Sequence, residues 1–421
     1  MRATQSNLSF TLVELLIVIG ILAILTAAVV VILNPAELLR QARDSQRLQE
    51  LSSLSDSIQL LETQVANLTL GTSTWVYVSI PDSDAQCANL GLPTLPSGYT
   101  YACSTEANYR NIDGLGWIPI DFTQGSGIIS LPTLPIDPTN ATSTGLYYTY
   151  MSGGSFHLAG ATESDKYGLG GSSDAVSTDG GSFTGLIEKG TDKALIPLDY
   201  GDTSLVGYWT FDEGTGTSAY DHSGNNNTGT LTNGPTWQTS ANCKVGGCLE
   251  FDGEDDVVPL GTGNYLDFLT ISAWVYLDSY PPLDSVYAIV HRTEDYPWKH
   301  NYYFEINSTL EFKFGIYSTT ANTWKSINTT QAVSLAQWHH ATASYDLNGD
   351  LSGVFLNGEK LDPIGTIPPG SIPNSVGIFH LSIGGNYAES ARYFDGLIDD
   401  VRIYNRALSA AEIQAIYNAT R

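Results

Sequence analysis

Phe394-Asp395-Gly396-Leu397-Ile398-Asp399-Asp400-Val401-Arg402-Ile403-Tyr404-Asn405-Arg406-Ala407-Leu408-Ser409 interleaves apolar with charged residues as far as Tyr404, then turns polar and ends on a serine. Glu412 follows Ser409 by three positions, the pattern of a capping box. A strand over Leu397–Tyr404 is therefore expected to give way to a short helix over Ser409–Tyr417. Outward from this segment, further strands are read at Val206–Phe211, Gly247–Phe251, Leu269–Tyr276, Tyr302–Ile306, Glu311–Ile316, Trp338–Tyr345, Leu351–Leu356 and His380–Ile383. Turn signals such as Asn348-Gly349-Asp350 and Asn357-Gly358 separate them. Many short strands at this spacing imply an all-β, two-sheet sandwich over residues 205–421.

Trp209, Trp274 and Trp338 alternate with polar neighbours and are read as core aromatics. His339 and His340 are adjacent in a strand, so they point to opposite faces and cannot easily chelate one ion; one buried and one exposed histidine is expected. The acids crowd at turns and chain ends, with no E-x-D-x-x-E-like cluster of the kind polysaccharide hydrolases use. The expectation is that the chain is not an enzyme.

The N-terminal half reads differently. Leu15 to Leu33 is an apolar run broken only by Gly20 and Thr26, long enough to span a bilayer as a helix, and no small-residue cleavage site follows it. Glu14 stands at its start, where a carboxylate needs either solvent or a cationic partner. Beyond Asn34-Pro35, the residues Leu48, Leu51, Leu54, Ile58, Leu61 and Val65 recur at helical spacing, with Arg47, Glu50, Ser53, Ser57 and Gln64 on the opposite face. Residues from about 72 to 190 form a head, with a strand at Trp75–Ile80 and a hairpin around Gly153-Gly154. Residues 191–204 read as a short linker of limited flexibility.

The net charge of −26, from 44 acids and 18 bases, repels phosphate backbones and excludes nucleic-acid binding. It also leaves carboxylates for calcium, or simply a solubilising surface. The four cysteines fall as two local pairs, Cys87 with Cys103 and Cys243 with Cys248, without zinc or redox spacing. In an exported chain these read as two small disulfide loops, with unpaired buried thiols as the alternative.

Ser9-Phe10-Thr11-Leu12-Val13-Glu14-Leu15-Leu16-Ile17-Val18 resembles the N-methylation motif of type IV pilins and type II secretion pseudopilins. The resemblance implies cleavage by a prepilin peptidase between Ser9 and Phe10, although that family usually has Gly where Ser9 stands. It implies that Glu14 pairs with the terminal amine of a neighbouring subunit, and it supplies other pilin subunits and an inner-membrane assembly machinery as partners. The segments are then a leader (1–9), a transmembrane and filament-core helix (10–34) and an amphipathic helix with an α+β pilin-like head (35–190). Arg2 alone precedes the apolar run, whereas Arg40, Arg43 and Arg47 follow it. A count of positive charges opposes export of the C-terminal part, but Glu37, Asp44 and Glu50 dilute that cluster. The expected location is the cell membrane, single-pass with the C-terminal domain outside, and an extracellular filament after assembly.

Residues 205–421 resemble the laminin G-like, concanavalin A-like jelly rolls. The marks are Gly207-Tyr208-Trp209-Thr210-Phe211-Asp212-Glu213-Gly214, Asp221-His222-Ser223-Gly224-Asn225, Leu249-Glu250-Phe251-Asp252-Gly253, Ile271-Ser272-Ala273-Trp274-Val275, Gln337-Trp338-His339-His340 and the closing segment quoted above. In that family the terminal strands are neighbours and a structural Ca²⁺ often lies near them. The resemblance therefore implies a calcium site with Asp212, Asp221 and Asp399 as ligands, Glu213 and Asp400 lying beside them. Ordinary carboxylates paired with Arg402 and Arg406 are the alternative. The function implied is adhesion, with a glycan or surface-protein ligand and sugar contacts at tips such as Tyr296-Pro297-Trp298-Lys299-His300. The alternatives are a structural decoration of a pilus or pseudopilus, or a polysaccharide-active enzyme.

Overall fold

The computed structural model describes residues 12–421 except 97, 126, 128, 182, 262–268, 284, 295–299, 319–322, 347–351, 362, 366, 368–378 and 388–391; within the first helix, side chains are described as far as Leu22. Helix α1 spans Leu12–Leu33 and α2 spans Pro35–Gln64. They part at Asn34, whose φ of 38° is left-handed. Pro35 imposes that break, because it disfavours a helical residue before it and is itself well placed at a helix start. Among the described residues no helix is long and apolar enough to cross a membrane. The span expected over 10–34 therefore lies partly outside what is described, and Ser9 and Phe10 lie wholly outside it.

The expected stripe on α2 is buried: Leu51, Leu54, Ile58 and Leu61 are inaccessible to solvent. They pack on one face of a five-stranded sheet ordered Thr100–Cys103, Trp75–Val78, Tyr148–Ser152, Phe156–Ala161, Leu186–Gly190. The first two strands are parallel and the other neighbours antiparallel. Arg47 corrects the sequence reading. Placed there on the polar face, it is fully buried. Its guanidinium donates to both oxygens of Asp137 at 2.6 and 2.9 Å, to Asp44 at 2.7 Å and to Glu163 at 2.7 Å. A fork of five donors is what allows one cation to be dehydrated among three acids.

Every residue of Tyr148–Ser152 and Phe156–Ala161 is buried, because the sheet is covered on both faces. Tyr148, Tyr150, Phe156 and Leu158 face α2, whereas Met151, Ala159 and Ala161 belong to a second core. That second core includes Ile196, Leu198 and Tyr200 together with Tyr208, Phe355, Tyr404 and Ile413 of the C-terminal part. Residues 191–204, read as a linker, thus supply three buried side chains to a core shared by head and sandwich.

The sandwich has an eight-stranded and a seven-stranded sheet among the described residues. Strand Asp395–Tyr404 lies inside the larger sheet, against Leu269–Leu277 on one side. On its other side it pairs first with Cys248–Asp252, through Ile398, and then with Leu205–Trp209, from Val401. Helix α3, Ala410–Thr420, has the expected capping box between Ser409 and Glu412. The Asn357-Gly358 turn has φ of 51° and 81°, the double left-handed geometry that a two-residue hairpin requires. Two long strands were not foreseen, Val286–Glu294 and Thr323–Ala332. The first begins as a continuous apolar run and the second is mostly polar, so neither shows clean alternation.

Replacing Arg47 by Ala strands Asp44 and Asp137 in a dehydrated site, and we expect it to cost about 3–5 kcal/mol. Arg43→Ala, which breaks the half-exposed pair with Glu163, should cost about 0–1 kcal/mol. Denaturant titration of the two variants checks the contrast; equal losses would contradict it.

Candidate ligand-binding site

The three expected calcium ligands do not converge. The Leu205–Trp209 strand ends before Phe211, whose φ of 57° turns the chain away, so Asp212 and Glu213 lie in the following loop. Asp221 is consumed by backbone donors: Oδ1 accepts from Tyr208 N at 3.0 Å and Ser223 N at 2.9 Å, and Oδ2 from Asn227 N at 2.8 Å. Asp400 and Val401 form a bulge opposite Ala273, between the register pairs Trp274–Asp399 and Ser272–Arg402, with φ of 52° at Asp400. Asp399 Oδ2 accepts from Lys244 N at 3.0 Å and Val245 N at 2.8 Å, and Gly247 N donates to Asp212. Asp400 pairs with Arg402 and accepts from the Tyr208 hydroxyl at 2.7 Å. Arg406 instead pairs with Asp202 and Glu412. Of the acids expected at a calcium site, only Asp400 shows the arginine pairing weighed against calcium; the others take main-chain donors, and Asp399 Oδ1 is buried without a partner.

Carboxylates do converge elsewhere. Ligand oxygens of Asp252, Asp255 and Asp256 lie within 4.8 Å of one another, the one such cluster among the described residues. Asp256 is buried; its Oδ2 accepts from Asp252 N at 3.0 Å, while Oδ1 is buried without a partner. An orphaned buried carboxylate oxygen beside two exposed acids fits a hard cation.

Both disulfides are present, Cys87–Cys103 and Cys243–Cys248, each with Cα atoms 5.4 Å apart. The second closes the loop whose N–H groups reach Asp399 and Asp212. Glu14 lies exposed in the first turn of α1. Trp209 is in the inter-sheet core. Trp274 instead packs under α3, its Nε1 donating to Thr420 Oγ1 at 2.9 Å, and Trp338 is only half-buried. Both histidines are buried, against the expectation of one: His340 lies beneath α3 beside Trp274 and Tyr417, and His339 turns to Ser334. Of the sugar-contact tip, residues 295–299 are outside those described.

The concave site with the richest chemistry was not foreseen as a site. A cleft of about 520 Å³ opens between head and sandwich, with Tyr99, Phe183 and Pro197 on one side and Asp212, Glu213, Tyr220 and His222 on the other. Thr210 and Ile196 complete its lining. Burial pushes Glu213 up to about 7 and Asp212, at the exposed rim, to about 6. Burial lowers His222, whose Nδ1 is 2.6 Å from the Pro197 carbonyl. The sequence singles out Asp212, Glu213 and His222, but nothing local to them announces Tyr99 or Phe183, which arrive only through the shared core. Acceptors facing aromatic walls suit a polar ligand with flat apolar faces.

Among solved structures, the chain is similar to domain 4 of AbnA, a GH43 extracellular arabinanase from Geobacillus stearothermophilus, in complex with arabinotriose, at 20% identity over 51% of this chain and 98% of that one, with a TM-score of 0.39. Trypanosoma rangeli sialidase is 15% identical over 52% of this chain and 33% of that one, with a TM-score of 0.38. The CBM40 of the Ruminococcus gnavus IT-sialidase, bound to alpha2,3 sialyllactose, is 17% identical over 36% of this chain and 82% of that one, with a TM-score of 0.32. No protein of curated function matches the sequence. Residues 252–414 match the family described as the concanavalin A-like lectin/glucanases superfamily, and the sandwich carries a jelly-roll domain of that kind over this stretch.

Proposed function

We propose that this chain is a membrane-anchored, pilin-like surface subunit that presents a glycan-binding jelly roll and does not catalyse a reaction. The observation that carries the binding role is the junction cleft, where acceptors on the sandwich face aromatic side chains of the head. A carbohydrate, with hydroxyl donors on its rim and an apolar ring face, matches both walls. The family description over 252–414, which names lectins and glucanases, supports a carbohydrate ligand over a surface protein.

Support for the filament role comes from α1. Apart from Glu14, its described side chains, such as Leu12, Leu16 and Ile19, are apolar and exposed, and so apolar a helix requires lipid or other helices about it. Helix packing with further copies of this subunit, with Glu14 beside a neighbour's terminal amine, would meet that requirement. Cleavage between Ser9 and Phe10 by a prepilin peptidase, and an outward-facing sandwich, complete the reading. Calcium would be held by Asp252, Asp255 and Asp256, and its chemistry there is structural: a hard cation neutralising a buried acid.

Three outcomes are expected. The detergent-extracted full chain should bind specific glycans on an array; binding only to surface proteins would replace the ligand class, and binding to neither would remove the adhesive role. Its N-terminal residue, read by mass spectrometry, should be methylated Phe10, and a chain starting at Met1 would sink the pilin placement. Calcium at about a hundredfold over its Kd should stabilise the fold by about 2.7 kcal/mol. Asp256→Asn should abolish that gain, read as a loss of the calcium-dependent rise in Tm.

A further inference from the structure

The cleft is acidic without an internal counter-charge. Asp212 and Glu213 are its charged groups, and among the described residues that line it there is no lysine or arginine. Lys193, the neighbour of the lining residue Ala194, is directed away and donates to the main-chain oxygen of Asp179. His222 commits one ring nitrogen to the Pro197 carbonyl, and its burial disfavours the charged form.

Glu213 holds an oxygen in reserve. Its Oε1 accepts from Tyr220 N at 2.6 Å, whereas Oε2 is buried and has no partner. A buried carboxylate oxygen left unpaired is costly, and the cost is removed by a ligand that brings a donor to it. Three aromatic side chains, Tyr99, Phe183 and Tyr220, share the cleft lining with Glu213, and Tyr99 is 37% exposed.

These features rank the sugars the cleft could accept. A uronic or sialic acid would set one anion against two, and in a partly dehydrated cleft that repulsion is severe. A neutral sugar offers hydroxyl donors but leaves the carboxylates without a counter-charge. A protonated amine offers three N–H donors and a full positive charge, and aromatic faces attract it.

We propose that the head–sandwich cleft binds a sugar carrying a free amine, with Glu213 as the principal charge partner, Asp212 as the second and Tyr99 against the ring. The inference rests on the reading of this cleft as the glycan site. Both domains must be present for it to exist, so neither domain alone would bind.

Calorimetry on the full chain tests it with three probes: a glucosamine tetrasaccharide, its fully N-acetylated counterpart, and 1,5-diaminopentane. The free-amine sugar should bind at least roughly tenfold more tightly than the acetylated one, a difference of about 1.4 kcal/mol. Glu213→Gln keeps an acceptor for Tyr220 N but removes the charge, so it should erase that preference without lowering Tm. Tyr99→Ala, on an exposed side chain, should weaken the sugar and leave the diamine unaffected. Equal binding of the two sugars, or an unchanged preference in Glu213→Gln, overturns the proposal. Binding of the diamine alone overturns the sugar assignment and the glycan reading of the cleft together. If all three probes fail while other glycans bind on an array, the proposal falls and the broader glycan reading stands.

Discussion

The bulge at Asp400-Val401 is the constraint on which the larger sheet depends. Ahead of it, strand Asp395–Tyr404 pairs with Cys248–Asp252; beyond it, the same edge pairs with Leu205–Trp209. One strand therefore holds two neighbours end to end, and the extra residue sets the phase of each half. Ile398 points into the inter-sheet core before the bulge, and Val401 and Ile403 do so from its second residue onward. Without the inserted residue, one half would turn its apolar side chains outward. The gap between the two partner strands is filled by the disulfide loop, whose N–H groups end on Asp399 and Asp212. On the outer face the bulge lets Arg402 lie over the Tyr208 ring, 4.3 Å from its centroid, and donate to the Tyr208 hydroxyl at 2.8 Å.

That outer face is where head and sandwich become one body. Tyr404 meets Thr184 at 3.3 Å, Tyr200 stacks on Tyr147 at 4.6 Å between centroids, and Arg406 reaches Ser204 and Asp202. Two domains joined by a loose tether would each need a polar face here. Instead the head sheet buries both of its faces, one against α2 and the other against the sandwich. A pull or a contact on the sandwich is thereby carried through packed side chains into α2, and the cleft between the bodies has fixed walls.

Much of this was legible in the sequence because it depends on local pattern. The α2 stripe, the Ser409–Glu412 capping box, the Asn357-Gly358 turn and the two cysteine pairs are short-range signals with one good solution each. Residues whose role is set by distant partners were not legible. Arg47 fits the polar face of a helix by periodicity, yet Asp137 and Glu163, far along the chain, draw it inside. Trp274 reads as a core aromatic and is buried, but which core it joins was not legible, since it is the C-terminal helix folding back that covers it. The pair Asp399-Asp400 interrupts alternation, which is the mark of a bulge, and consecutive acids drew the reading toward metal instead. The cleft was beyond reach for the same reason, since Tyr99, more than a hundred residues before Asp212, and Phe183 meet the acidic wall only through the folded core.

The acid excess explains why carboxylates are such poor markers of function in this chain. With 44 acids and 18 bases, acids outnumber their possible cation partners, and many pair with none. They are stabilised by main-chain donors instead. Asp199 accepts from Thr184, Gly185 and Gly201, Asp174 from Gly170, Val176 and Ser177, and Asp221 from three more N–H groups. An acid used in this way staples a loop and has nothing left for a ligand. The informative atoms are the oxygens such stapling leaves over. Asp256 Oδ1 stands beside two more carboxylates, and Glu213 Oε2 faces a cleft with aromatic walls. Asp399 Oδ1 is left over as well, but among the described residues no group of three acids converges there; in a chain this acidic the setting of an unspent oxygen says more than the number of acids around it, and those of Asp256 and Glu213 ask for positive charge.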